Sequence, residues 1–97
     1  MNFSKIKDKL EKKKSFIKKN FYIKEIGIFG SFIRREQTGN SDIDVLVEFE
    51  KGHKDFFNYV RLKYHLEELF GIKVDLVIKG AVKPGLRKRI FNEVEYV

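Results

Sequence analysis

The 97-residue sequence contains no cysteine and only one proline and one methionine. Without cysteine there is no disulfide, no thiolate metal site and no cysteine nucleophile. Long apolar runs are also missing, and no stretch approaches the roughly 18 residues of a membrane span. The N-terminus is rich in lysine, but no apolar segment follows it, so it does not read as a secretory signal. No internal repeat or low-complexity linker is visible. These absences lead to the expectation of a soluble cytoplasmic protein with no membrane partner.

Excess charge is absent from most of the chain. The net charge is +7, yet residues 1–24 alone hold nine lysines against Asp8 and Glu11. Residues 25–97 carry equal numbers of basic and acidic side chains. Hydrophobic residues make up 42%, with ten phenylalanines and four tyrosines, enough for a real core. The length suits one compact domain over residues 1–97.

Periodicity predicts a helix over 4–19 with Ser4 as its N-cap. Phe3, Ile6, Leu10, Ile17 and Phe21 form its apolar stripe, and lysines fill the other faces. Residues 22–30, "YIKEIGIFG", read as a strand ending at Gly30, and "SFIRRE" as a short helix opening at Ser31. "QTGN" is a loop by composition. "DIDVLVEFE" alternates, with Ile43, Val45, Val47 and Phe49 on one side. A second long helix is expected over 55–70, with Phe56, Val60, Tyr64 and Leu66 or Leu69 giving its period and Gly71 its C-cap. Phe56, Phe57, Tyr59 and Tyr64 are expected to pack in the core or between helices. "KVDLVIK" reads as a third strand, and Pro84 opens a last helix to about residue 94. The order α-β-α-β-α-β-α predicts an α/β (α+β) domain, a small mixed sheet with helices packed on it.

The stretch "GIFGSFIRREQTGNSDIDVLVEFE" carries the chemistry. Alternate side chains of a strand share a face. Asp42 and Asp44 therefore project the same way, roughly 7 Å apart by the strand rise. Asp75 is a lone acid in an apolar strand, where an unpaired charge is costly to bury. If the two strands are neighbours, three carboxylates gather. They repel and raise one another's pKa, and a divalent cation removes that penalty. Hard oxygen ligands without cysteine favour magnesium or manganese over zinc. Gly30 lets backbone approach a ligand closely. Ser31 opens a helix whose free N–H groups suit an anion. Arg34, one turn on, could neutralise triphosphate charge or hold the loop. Ser41 could orient Asp42 or cap the loop before the strand. His53 and His65 are too far apart for a ligand pair and are expected on the surface or in helix packing.

"GSFIRRE", "SDIDVLVEF" and "KVDLV", in that order, resemble the minimal nucleotidyltransferase family of the polymerase-beta-like superfamily. The resemblance runs from about Tyr22 to the C-terminus. Its pattern falls on Gly30, Ser31, Arg34, Ser41, Asp42, Asp44 and Asp75. One departure is Arg35, where the family often has glycine. The resemblance implies a truncated nucleotidyltransferase fold, ATP as substrate and magnesium. By that likeness Asp42, Asp44 and Asp75 are catalytic and metal-holding, while Gly30, Ser31, Arg34 and Ser41 bind the nucleotide. It further implies the antitoxin half of a toxin–antitoxin pair, whose partner is a HEPN-type ribonuclease silenced by AMP transfer to a tyrosine. A domain this small has little room for a nucleic-acid substrate, which also leads to the expectation of a protein acceptor. Two other readings stand beside this one: an antitoxin that binds without catalysis, and a small nucleic-acid-binding module led by the lysine helix. Neutral charge over residues 25–97 weighs against nucleic acid as the main partner.

Overall fold

The computed structural model describes all 97 residues, Met1–Val97. Helix α1 spans Phe3–Phe21 and buries Ile6, Leu10, Ile17 and Phe21, the stripe expected from periodicity. Its cap is Asn2 rather than Ser4. The Asn2 side chain accepts the Lys5 N–H at 3.0 Å, satisfying a donor that the first turn leaves free. Tyr22 takes a left-handed conformation at φ 55 and ends the helix. Strand β1 is therefore shorter than predicted, Ile23–Phe29.

Helix α2 (Ser31–Arg34) and strand β2 (Ile43–Phe49) follow, so Asp42 lies just outside the strand expected to carry it. Helix α3 (Phe56–Phe70) crosses over to strand β3 (Val74–Ile78), and Gly71 caps the helix as expected. After a 3-10 turn, Lys79–Ala81, helix α4 runs Pro84–Glu93. A fourth strand, β4 (Glu95–Tyr96), was not predicted. Two residues are too few to show a period. The sheet order is β3-β2-β1-β4, with β1 antiparallel to β2 and β4, and β2 parallel to β3. The expected mixed sheet with helices packed on it is therefore present.

The two sheet faces differ. On one, α1 and α3 close over Ile26, Ile28, Ile43, Val45, Val47 and Leu76 in a single core. On the other, Phe29, Leu46, Val82 and Ile90 of α4 form a smaller cluster. The lysines of α1 thus belong to the layer behind the sheet. No helix is long and apolar enough to cross a membrane.

The buried stripe of α3 differs from the predicted one. It comprises Asn58, Leu62, Leu66 and Phe70. Phe56, Phe57 and Tyr64 are instead 73%, 77% and 65% exposed, so the expectation that they pack in the core fails for all three. Tyr59 alone of that group is partly buried, donating its hydroxyl to the Leu76 carbonyl at 2.6 Å. Asn58 sits in the core because its amide donates to the carbonyls of Phe21 at 2.7 Å and His53 at 3.0 Å. Its N–H donors are thereby paired, while its Oδ1 has no protein partner. The histidines pack as expected: His53 stacks on Tyr22 with centroids 3.8 Å apart, and His65 lies beside Phe16 and Phe21.

Candidate active site

Strand β2 sets the site's register. Ile43, Val45 and Val47 are fully buried, each worth about 1.5–3 kcal/mol of apolar burial. A slip of one residue would exchange them for Asp44, Leu46 and Glu48, so the register is strongly specified. Asp44 then projects with Leu46 onto the α4 face. The parallel ladder pairs Asp44 with Asp75 of β3, whose neighbours Val74 and Leu76 belong to the opposite core. On its other side Asp44 pairs with Phe29, the last residue of β1.

Gly30 follows at φ 81 and ψ −152, a conformation nearly confined to glycine. A Cβ there would lie 2.8 Å from Asp44 Cγ, so the turn and the carboxylate are in close contact. The Ser31 backbone N–H is close enough to the Asp44 carboxylate to favour its charged form. The predicted neighbours Gly30, Ser31, Asp44 and Asp75 therefore form one group. Asp42 stands at the entrance to β2, near enough for its charge to act on Asp44. It lines an open polar cleft of about 410 Å³ with Gly39, Asn40, Ser41 and Lys73. No three acidic or histidine side chains are arranged to enclose an ion by themselves. The donor set is nonetheless that of a hard cation, with carboxylate oxygens and no thiolate.

Burial pushes the half-buried Asp44 carboxyl up to about 6, helped by the adjacent Asp75 charge and hydrogen bond; the Ser31 N–H pulls the other way, and Asp42 adds a smaller upward push. This is the repulsion that a divalent cation offsets. It also fixes a sign. With metal chelated, native Asp44 holds a proton that the unfolded chain has already released between its ordinary 3.8 and about 6. Its contribution favours the folded state at low pH and is lost as pH rises through that window. Thermal melts in chelator should show Asp44→Asn gaining on wild type as pH rises toward 7. A difference in Tm that stays flat with pH would contradict this.

Two other predicted residues play parts the sequence left open. Ser41 accepts the Thr38 N–H at 2.8 Å, capping the loop rather than orienting Asp42. Arg34 holds the loop. Its Nη1 donates to both oxygens of Glu93 at 2.9 and 2.8 Å, and its Nε donates to Glu36 at 3.1 Å. Glu93 was not foreseen; nothing local marks a glutamate at the end of a helix 63 residues from Gly30. Arg35, standing where glycine is common, adopts φ 59. The loop therefore keeps a left-handed residue at a cost of roughly 1–2 kcal/mol.

Residues 10–97 match the family model of the nucleotidyltransferase domain. A relative in Methanocaldococcus jannaschii, provisionally named a protein adenylyltransferase, is 50% identical over 97% of this chain and 96% of its own. Protein adenylyltransferase MntA of Thermococcus cleftensis is 40% identical over 87% of this chain and 84% of its own. Among solved structures, one described provisionally as a minimal nucleotidyltransferase superposes with a TM-score of 0.83 at 32% identity, covering 98% of this chain and 95% of that one. A toxin–antitoxin solved with AMP-PNP superposes with a TM-score of 0.71 at 24% identity, covering 89% of this chain and 70% of that one, and shares the fold.

Proposed function

The chain belongs to the nucleotidyltransferase domain family, and from that premise we propose that it transfers AMP from ATP to a hydroxyl of a partner protein. The observation that carries this reading is the paired Asp44 and Asp75 carboxylates against the Gly30–Ser31 turn. The names of the two relatives described above, both protein adenylyltransferases, support the same acceptor class. The sequence resemblance supports a HEPN-type toxin as the partner and a tyrosine as the acceptor.

Asp44 and Asp75 would hold a magnesium or manganese ion, with Asp42 adding its charge from the strand entrance. When bound, such an ion neutralises triphosphate charge and lowers the pKa of an attacking hydroxyl. The chain's own groups do the rest. The turn at Gly30 and Ser31 seats the phosphates through the close backbone approach that glycine allows and through the serine hydroxyl. The acceptor oxygen then bonds to the α-phosphorus as the bond to the bridging oxygen breaks and pyrophosphate leaves. The hydroxyl proton passes to a carboxylate, and Asp75, more exposed than Asp44, is the available base.

The lysines of α1 do not serve this site directly. They project from the helical layer on the sheet face opposite Asp44. A strand of RNA held there would be separated from the carboxylates by the sheet, which weighs against a nucleic-acid 3′ end as acceptor. Incubation with α-labelled ATP, magnesium and the product of the neighbouring gene should label that product and add one AMP mass or a multiple of it. Label found only on RNA, or only on this chain, would overturn the reading.

A further inference from the structure

We propose that Glu93 is a positioning residue that sets the Gly30–Ser31 turn for the phosphates of ATP; the proposal rests on the nucleotidyl-transfer reading. The β1 ladder with β2 ends at Phe29, so the Gly30 N–H has no strand partner. Left unpaired it would be an orphan donor. Glu93 Oε2 accepts it at 2.9 Å. The same carboxylate takes Arg34 Nη1 on both oxygens, and Arg89 Nε lies 3.7 Å away. Charge-assisted bonds of this kind are roughly twice as strong as neutral ones. The Glu93 side chain is 14% exposed, so little water competes for it.

Its backbone is equally constrained. Glu93 closes α4, the Val94 N–H returns to the Ile90 carbonyl at 2.9 Å, and the next two residues enter the sheet beside β1. Ile90 anchors the helix in the cluster with Phe29 and Leu46. The turn is thus gripped from two directions. Asp44 fills the space beside Gly30, while Glu93 holds the Gly30 N–H and braces α2 through Arg34. Arg34 is already balanced by Glu93 and Glu36, so it acts as a strut rather than as a free cation for the triphosphate. On this proposal Glu93 acts through the turn and not on the reacting atoms. Its loss should loosen ATP while leaving the carboxylates' own chemistry in place.

The test combines amide exchange at Gly30, ATP–magnesium affinity by calorimetry and transfer kinetics on the full chain. Glu93→Ala should expose the Gly30 amide to exchange and weaken ATP about tenfold, equivalent to one charge-assisted contact. KM for ATP should rise while kcat at saturating ATP stays within about twofold, a split expected when binding rather than chemistry is lost. Glu93→Gln keeps an oxygen for Gly30 but loses the charge facing Arg34. It should therefore retain Gly30 protection and fall between wild type and Glu93→Ala in affinity. Adding Arg34→Ala to Glu93→Ala should cost little more, because the two act as one unit. If Glu93→Ala does not fold, Glu93→Gln decides. Wild-type ATP affinity in a folded Glu93 variant, or a loss of kcat at unchanged KM, would sink this proposal alone. No ATP binding by the wild type would sink the transfer reading and this proposal with it.

Discussion

Asp44→Asn is expected to lower AMP transfer about a thousandfold, a loss of roughly 4 kcal/mol of transition-state stabilisation. The side chain keeps its shape, so the β2 register and the contact with Gly30 persist. What disappears is the negative charge paired with Asp75. Of the three carboxylates, Asp44 is the one that feels both others, Asp75 beside it and Asp42 at the strand entrance, and the Ser31 backbone as well. On the transfer reading it is therefore where a divalent cation and the phosphate turn would meet. Asp75→Asn should also reduce transfer severely, and Asp42→Asn in the same direction. The folded state should not suffer from Asp44→Asn in the absence of metal, because burial and Asp75 already disfavour its charged form. Labelled AMP incorporation into the acceptor and thermal melts in chelator separate the two effects. More than a tenth of wild-type transfer in a folded Asp44→Asn protein would refute the assignment.

The sequence made the carboxylate strand legible because β2 has one buried face and one open one. Ile43, Val45 and Val47 mark the core side, and Asp44 follows on the other by parity. Asp75 could be joined to it only by assuming that the two strands are neighbours, which the parallel pairing bears out. Asp42 was harder, since residue spacing does not tell where a strand begins, and it lies one residue before Ile43. Helix α3 was misread for a different reason. Phe56, Val60 and Tyr64 offer an apolar stripe as regular as the true one, while the true stripe contains Asn58, a polar residue whose partners lie in other segments. Glu93 was invisible on the same ground. A hydrogen bond between residues 30 and 93 exists only after α4 and β4 have folded back on β1. Periodicity therefore reads what one segment buries, and it does not read which distant polar groups find one another.

Gly30→Ala is expected to destabilise the domain by roughly 3–5 kcal/mol, from an unfavourable backbone conformation and from overpacking. The backbone part arises at φ 81 and ψ −152, where any side chain is strained. The steric part arises from Asp44, whose Cγ would lie 2.8 Å and Cβ 3.1 Å from the new methyl. Neither atom is the free end of a flexible chain, since Asp44 is held in the β2 ladder between Phe29 and Asp75. The turn must therefore move, and with it the Gly30 N–H on Glu93. Small domains are stable by only about 5–15 kcal/mol, so a cost of this size leaves the variant marginal. Urea unfolding should show the loss as a lower midpoint with an unchanged slope. The double variant Gly30→Ala/Asp44→Ala separates the two causes. Removing the carboxylate clears the closest atoms but leaves φ positive, so it should recover the steric part, about 1–3 kcal/mol, and not the rest. Full recovery in the double variant would mean that the backbone is unstrained. No recovery would mean that the close approach of the turn to Asp44 is not what requires glycine here.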